Sequence, residues 1–196
     1  MSGLPTLTTE RRVLRPFDPV ADTPALSAIT SDPATMLHLA YGRPWTPEEL
    51  AEMLDRHLAQ YPIGLGFGAV VDRCTGAFAG WCGLQHPKRW IAMVTSRTFL
   101  VCPVEVGWTL APGWRGRGYA TEAATAWVDH GFHTLGLDEV ISVHDPENLA
   151  SERVMDRLGM VRREMLGLID DQRLCLHAVA RAAWLADWGG TTVGVT

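Results

Sequence analysis

The stretch Arg115-Gly116-Arg117-Gly118-Tyr119-Ala120 has the residue types of an anion cradle. It follows a β-favouring run that ends at Leu110 and the corner Ala111-Pro112-Gly113-Trp114, and it leads into a helical pattern. Glycines let the main chain approach a pyrophosphate with no Cβ in the way, the helix start contributes its positive dipole end, and Arg115 and Arg117 add charge. The same residues also describe a tight strand-to-helix corner with solvated arginines, because short glycine patterns carry little specificity alone. Neither GxxxxGK(S/T) nor GxGxxG occurs there, so the stretch is not a P-loop or a dinucleotide fingerprint. In the strand before the turn, alternation puts Glu105, Gly107 and Thr109 on one face, with glycine leaving room beside the carboxylate. Further on, Asn148 and Ser151 lie three residues apart and Met155 four beyond, so a helix there gathers all three on one face.

These residues need elements to hold them. Arg12-Val13-Leu14-Arg15-Pro16-Phe17 alternates as a half-buried strand does, with Pro16 marking an edge or an end. Two helical stretches follow. Thr46-Pro47-Glu48-Glu49 places a cap, a first-turn proline and two acids before Leu50, Met53, Leu54 and Leu58, a stripe that predicts a helix covering a sheet. Gly66 to Asp72 and Gly76 to Gln85 are β-favouring runs joined by a hairpin turn, and Val104 to Leu110 is a third strand. The segment 86–103 between them fits either a loop lining the cleft or an extra strand. After the glycine turn, Ala120, Ala123, Ala124, Trp127, Val128 and Leu135 recur at helical spacing up to Gly136. Glu139 to His144 reads as a strand, and Asp145-Pro146-Glu147 as the start of a helix running to Gly159. Met160 to Ile169 and Arg173 to Ala182 form a last hairpin pattern, and 188–196 is expected to be a loose tail. The order predicts one α+β domain over 1–196, a mixed sheet with helices on both faces, rather than a doubly wound βαβ fold.

Composition narrows the partners. At 196 residues, 47% hydrophobic and 20% charged, the chain is the size and make-up of one soluble domain with a full core. No uninterrupted apolar run of about 18 residues occurs, and mean hydropathy is +0.03, so no membrane partner is expected. Met1 to Glu10 has no signal-peptide pattern, which makes the cytoplasm the expected location. The net charge of -5 argues against a nucleic-acid partner. Four scattered cysteines, Cys74, Cys82, Cys102 and Cys175, form no CxxC pair and read as reduced small hydrophobes. His130 and His133, three apart on one helix without a third ligand, read as surface residues rather than a metal site. No metal is expected. His177 fits core or cleft lining equally. The eight tryptophans are mostly core mass, with Trp45 and Trp90 candidates for the border of an acceptor pocket.

Four ordered segments carry a family resemblance. Arg115-x-x-Gly118-x-Ala120 matches the acyl-CoA signature (Q/R)xxGx(G/A) of the GNAT acetyltransferases. Glu105 through Ala123, with Thr121 inside it, resembles the long form found in the branch of ribosomal-protein N-terminal acetyltransferases. Asn148 to Met160 is similar to that branch's second motif, and Thr9 to Pro16 to its opening. The resemblance implies a mostly antiparallel twisted sheet with a central splayed parallel pair. It implies acetyl-CoA as co-substrate, with pantetheine bonded to the backbone around Trp108, Thr109 and Leu110. The pyrophosphate would lie on Arg115, Gly116, Arg117, Gly118, Tyr119, Ala120 and Thr121, with Asn148 holding the pantetheine arm. Acetyl transfer to an amine requires a neutral amine, donors for the developing oxyanion and a proton for the leaving thiolate. Glu105 matches the family's usual base. Met155 stands where many members carry a tyrosine acid and cannot donate, so Ser151, near the thiol, is the preferred proton donor, directly or through water, the alternative being a thiolate that leaves unassisted or takes its proton from the amine. The implied acceptor is a protein N-terminus or a small amine, and homodimers are frequent among such proteins. A CoA-binding regulatory module without transfer is the alternative.

Overall fold

The computed structural model describes residues 3–39, 42–87, 103–169, 172–188 and 194–195. Among them, nine strands form one sheet in the order β7-β8-β6-β5-β4-β3-β2-β1-β9. Strands β1 (Leu7–Thr8), β2 (Arg12–Arg15), β3 (Gly66–Asp72), β4 (Phe78–Gln85) and β5 (Glu105–Leu110) run antiparallel to one another in sequence order. β6 (Glu139–His144) lies parallel to β5, and β8 (Gln172–Ala180) joins β6 to the outer strand β7 (Val161–Ile169). β9 (Gly194–Val195) pairs with β1, so this described part of the expected loose tail lies on the sheet edge. Most of segment 86–103 falls outside the described residues, as does Trp90.

The single parallel junction is where the sheet opens. β5 and β6 share one register pair, Glu105 with Ile141, supported by the Ile141 N–H donating to the Val104 carbonyl at 2.9 Å. One step on, Ser142 Oγ donates to the Val106 carbonyl at 2.9 Å, a side chain reaching what the diverging β6 main chain no longer does. Beyond Val106 the strands part.

Helices cover both faces. On one side, with the short α2 (Pro33–Met36) between them in sequence, α1 (Thr23–Thr30) and α3 (Pro47–Leu58) carry Leu26, Ile29, Leu50, Met53 and Leu54 onto Phe67, Ala69, Val71 and Trp81. The expected start of α3 is present as a reciprocal capping box between Thr46 and Glu49. On the other side α4 (Tyr119–His133) and α5 (Leu149–Arg157) pack Ala123, Ala124, Trp127, Met155 and Leu158 against Val70, Val106 and Val140. The first turn of α5 lies later than its sequence suggests. Asp145 accepts the Glu147 N–H in a turn, and Asn148 is the residue that caps the helix, its Oδ1 accepting the Ser151 N–H at 3.1 Å. A final helix, α6 (Arg181–Trp188), was not foreseen; it follows β8 directly and seals the core with buried Trp184, whose Nε1 donates to Asp129 at 3.4 Å. His130 corrects another expectation: it is 4% exposed, buried edge-on against Trp127, and desolvation lowers its pKa.

Candidate active site

A cleft of about 1120 Å³ runs from the β1–β2 connection across the end of β5 to the first turns of α4 and α5. Trp108, Thr109, Leu110, Arg115, Gly116, Gly118, Tyr119, Ala120, Thr121, Asn148 and Ser151 all line it. Residues between 108 and 151 are thus brought together from both sides of the forked strands. Arg117 and Glu105 are not among the lining residues.

The turn is shaped for close approach. Gly116 and Gly118 have φ of +73° and +78°, a region that costs a side-chain-bearing residue about 1–2 kcal/mol. A Cβ on Gly116 would meet nothing within 4 Å, so the surface above the main chain is open. Gly118 caps α4 without a side chain, and the helix presents its N-terminal N–H groups there. Next to them the Thr121 hydroxyl is buried and without a hydrogen-bond partner among the described residues. An open glycine turn, a helix start and an orphaned hydroxyl form a donor set that suits phosphate oxygens.

The two arginines of the turn have different partners. Arg115 is a staple: its Nε donates to the Leu110 carbonyl at 2.8 Å and its Nη2 to Thr35 Oγ1 at 2.5 Å, tying the turn to β5 and α2. Arg117 offers its carbonyl to Arg11 Nη1 at 3.2 Å, and Arg11 in turn pairs with Glu122 at 2.7 Å. Beneath the turn the buried Arg12 guanidinium lies 3.4 Å from the Tyr119 ring centroid and 5.0 Å from that of Trp114, while its Nη1 pairs with Asp72. Positive charge in the cleft also comes from Arg153 and Arg157, which the sequence reading did not single out. Their i,i+4 spacing after Asn148 was the available signal.

Along β5, the carbonyls of Val104 and Val106 point toward β6, whereas Ala111 donates its N–H to Ala79 on the β4 side. Alternation therefore turns the Trp108 N–H and carbonyl toward the fork. Glu105 lies on the opposite side-chain face, 7% exposed, accepting from Gln85 Nε2 at 2.9 Å. Gly107, two residues on, leaves space that the Phe67 ring uses: a Cβ there would come within 2.6 Å of it. On α5, Asn148, Ser151 and Val154 face the cleft, but Met155 turns into the core at 1% exposure. The shared face expected from spacing holds for the first two residues and fails for Met155. His38, also lining the cleft, pairs through Nδ1 with Asp145 at 2.9 Å and joins the end of α2 to the entry of α5.

A family model described as an acetyltransferase (GNAT) domain matches residues 11–161. The FsC-acetyl coenzyme A-N(2)-transacetylase of Aspergillus fumigatus is 34% identical over 139 residues, which cover 68% of this chain and 55% of that protein. YnaD of Bacillus subtilis, an uncharacterized N-acetyltransferase, is 45% identical over 60 residues, 31% of this chain and 35% of the relative. The chain thus spans about half or less of the length of these curated relatives. A solved acetyltransferase from Agrobacterium tumefaciens superposes with a TM-score of 0.74 at 30% identity, covering 91% of this chain and 96% of that one. The fold is also that of RimL, a ribosomal L7/L12 alpha-N-protein acetyltransferase solved with coenzyme A, at a TM-score of 0.71, 14% identity and coverage of 91% and 99%.

Proposed function

Because the chain belongs to the GNAT acetyltransferase family, we propose that it moves an acetyl group from acetyl-CoA to a primary amine by direct attack with both substrates bound. The acceptor is a protein N-terminus or a small amine. The observation that carries this reading is that one cleft joins the open turn at Gly116 and Thr121 to the fork after Val106.

Acetyl-CoA, when bound, supplies an activated thioester. Around it, the backbone of Gly116 to Thr121 and the Thr121 hydroxyl hold the pyrophosphate. Trp108 to Leu110 offer main-chain groups to the pantetheine arm, and the Trp108 N–H is the donor best turned to polarise the acetyl carbonyl. Asn148 spends its Oδ1 on the α5 cap, which leaves its Nδ2 to bind. Glu105 takes the amine proton through water, and Ser151 returns a proton to the sulfur. Holding two reactants at attack distance contributes about 7–11 kcal/mol in favourable cases, so positioning is expected to be the larger share. The fungal relative, named for acetyl coenzyme A and an N(2) position, is in keeping with a nitrogen acceptor.

The test has two stages. Calorimetry with CoA, acetyl-CoA and ATP is expected to give binding for the first two; failure of both to bind removes the reading. Thiol release across a panel of amines and N-terminal peptides then reads transfer. Binding without release on any acceptor supports a CoA-binding regulatory module instead, a reading favoured by Met155, which is buried and offers no proton.

A further inference from the structure

On the far side of α5 from the cleft, three residues from three elements converge. His144 ends β6, His177 lies in β8, and Glu152 is on α5, and one ligand atom from each lies within 4.8 Å of the others. The two imidazoles are 5% and 2% exposed, with ring centroids 5.1 Å apart. His144 Nδ1 bonds the Asp145 carbonyl at 2.8 Å, which makes Nδ1 the donor and leaves Nε2 with its lone pair. Among the described residues that Nε2 is buried with no partner, and so is His177 Nδ1. Two buried nitrogens without partners are costly inside a protein unless something satisfies them.

We propose that His144, His177 and Glu152 form a binding site for a divalent transition-metal ion of the zinc class, which clamps α5 onto β6 and β8. Two imidazoles and one carboxylate are a known zinc ligand set that leaves a fourth position for water. The carbonyl bond to His144 Nδ1 is the outer contact that orients a ligating imidazole. Bonds of about 2.1 Å in a tetrahedral site put donors roughly 3.4 Å apart. The farthest pair needs to close by at most about 1.4 Å, within reach of the Glu152 side chain, which is partly exposed and flexible. Asp145, beside His144, and Asp156, near His177, offset part of the added charge, and Arg162, which stands beside His177 in the β7–β8 register, opposes it. Cys175, across from His144, is engaged with Met165 Sδ and lies outside the ligand set. Because α5 carries Asn148 and Ser151, an ion here would stiffen one wall of the cleft without touching it. The proposal stands whether or not the chain transfers acetyl groups.

The experiment uses untagged full-length protein stripped with a chelator. Dialysis against Zn²⁺ and elemental analysis are expected to give one equivalent per chain, and Co²⁺ in its place is expected to give the intense visible bands of a four-coordinate site. His144→Gln, His177→Gln and Glu152→Gln should each weaken zinc binding at least about tenfold. His133→Ala, at an exposed histidine that pairs with the buried Asp129, should leave it unchanged. Glu152→Gln is the variant least able to disturb folding, and CoA affinity checks that every variant is folded. Zinc bound equally by the Glu152 and histidine variants, zinc lost with His133→Ala, or no bound zinc in the parent protein would overturn the site.

Discussion

Thr121 allows the sharpest single-residue test because its hydroxyl bonds to none of the described residues. Removing a buried hydroxyl that bonds nothing should not destabilise the protein, whereas removing one that bonds a phosphate costs about 1.5–3 kcal/mol of binding. Thr121→Val, nearly the same shape, is therefore expected to weaken CoA at least about tenfold in calorimetry while leaving the melting temperature unchanged or slightly raised. A lower melting temperature with unchanged affinity would assign the hydroxyl to the fold instead. Glu105 is argued at the same scale. Its carboxylate is buried beside Gln85 and outside the cleft lining, so Glu105→Gln should lower turnover far more than CoA affinity. The acidic limb of the pH-rate profile should vanish in that variant, and an unchanged profile would remove Glu105 as the base.

Two helix starts frame the cleft, and each is tested through its cap. Gly118 sits at φ +78° as the N-cap of α4, and among the described residues only Arg11 Nη2 lies near a built Cβ, at 3.6 Å. Gly118→Val fits the space on the protein's side but strains the backbone by about 1–2 kcal/mol and puts a branched side chain over the cradle. The expected result is a modest fall in melting temperature with CoA binding abolished; normal binding would count against the cradle. Asn148 separates two jobs in one side chain. Asn148→Asp keeps the oxygen that caps α5 and loses the Nδ2 donor, so stability should hold while CoA binding weakens, whereas Asn148→Ala should lose about 1 kcal/mol of helix stability as well. These elements were legible in sequence for local reasons. The capping box of α3 and the stripe of α4 are written within a few residues, and so was the glycine turn. What was not legible depends on residues far apart. His144, Glu152 and His177 span 33 positions of sequence and meet only because β8 inserts beside β6. Arg115 carries the look of a phosphate ligand, but its second job was not written there: two of its five N–H donors are spent on Leu110 and on Thr35, a partner 80 residues away. α6 escaped notice because its helical residues directly continue a β-favouring run with no breaker between them.

Across the whole molecule, one buried arginine couples the sheet to the cradle. Arg12, 1% exposed on β2, reaches across to Asp72 on β3 and lies under the Tyr119 and Trp114 rings of the turn. Asp72 is itself well held. Hydrogen bonds from the Thr75 hydroxyl and N–H, and then the Arg12 guanidinium, bring its carboxyl from an ordinary 3.8 down to about 2. Because the folded value lies below the unfolded one, this stabilisation is complete above about pH 4 and is lost as pH falls toward about 2. The carboxylate also neutralises a charge that burial would otherwise penalise, so removing it leaves Arg12 buried without its counter-ion. Asp72→Asn is therefore expected to lower the melting temperature at neutral pH and to flatten the decline in stability between about pH 4 and 2. The same substitution should weaken CoA binding although Asp72 does not line the cleft, since the guanidinium that supports Tyr119 loses its anchor. Thermal melts across pH and calorimetry at pH 7 read the two effects separately. A parallel acid profile in parent and variant would deny the linkage, and unchanged CoA affinity would show that the turn holds its shape without Arg12.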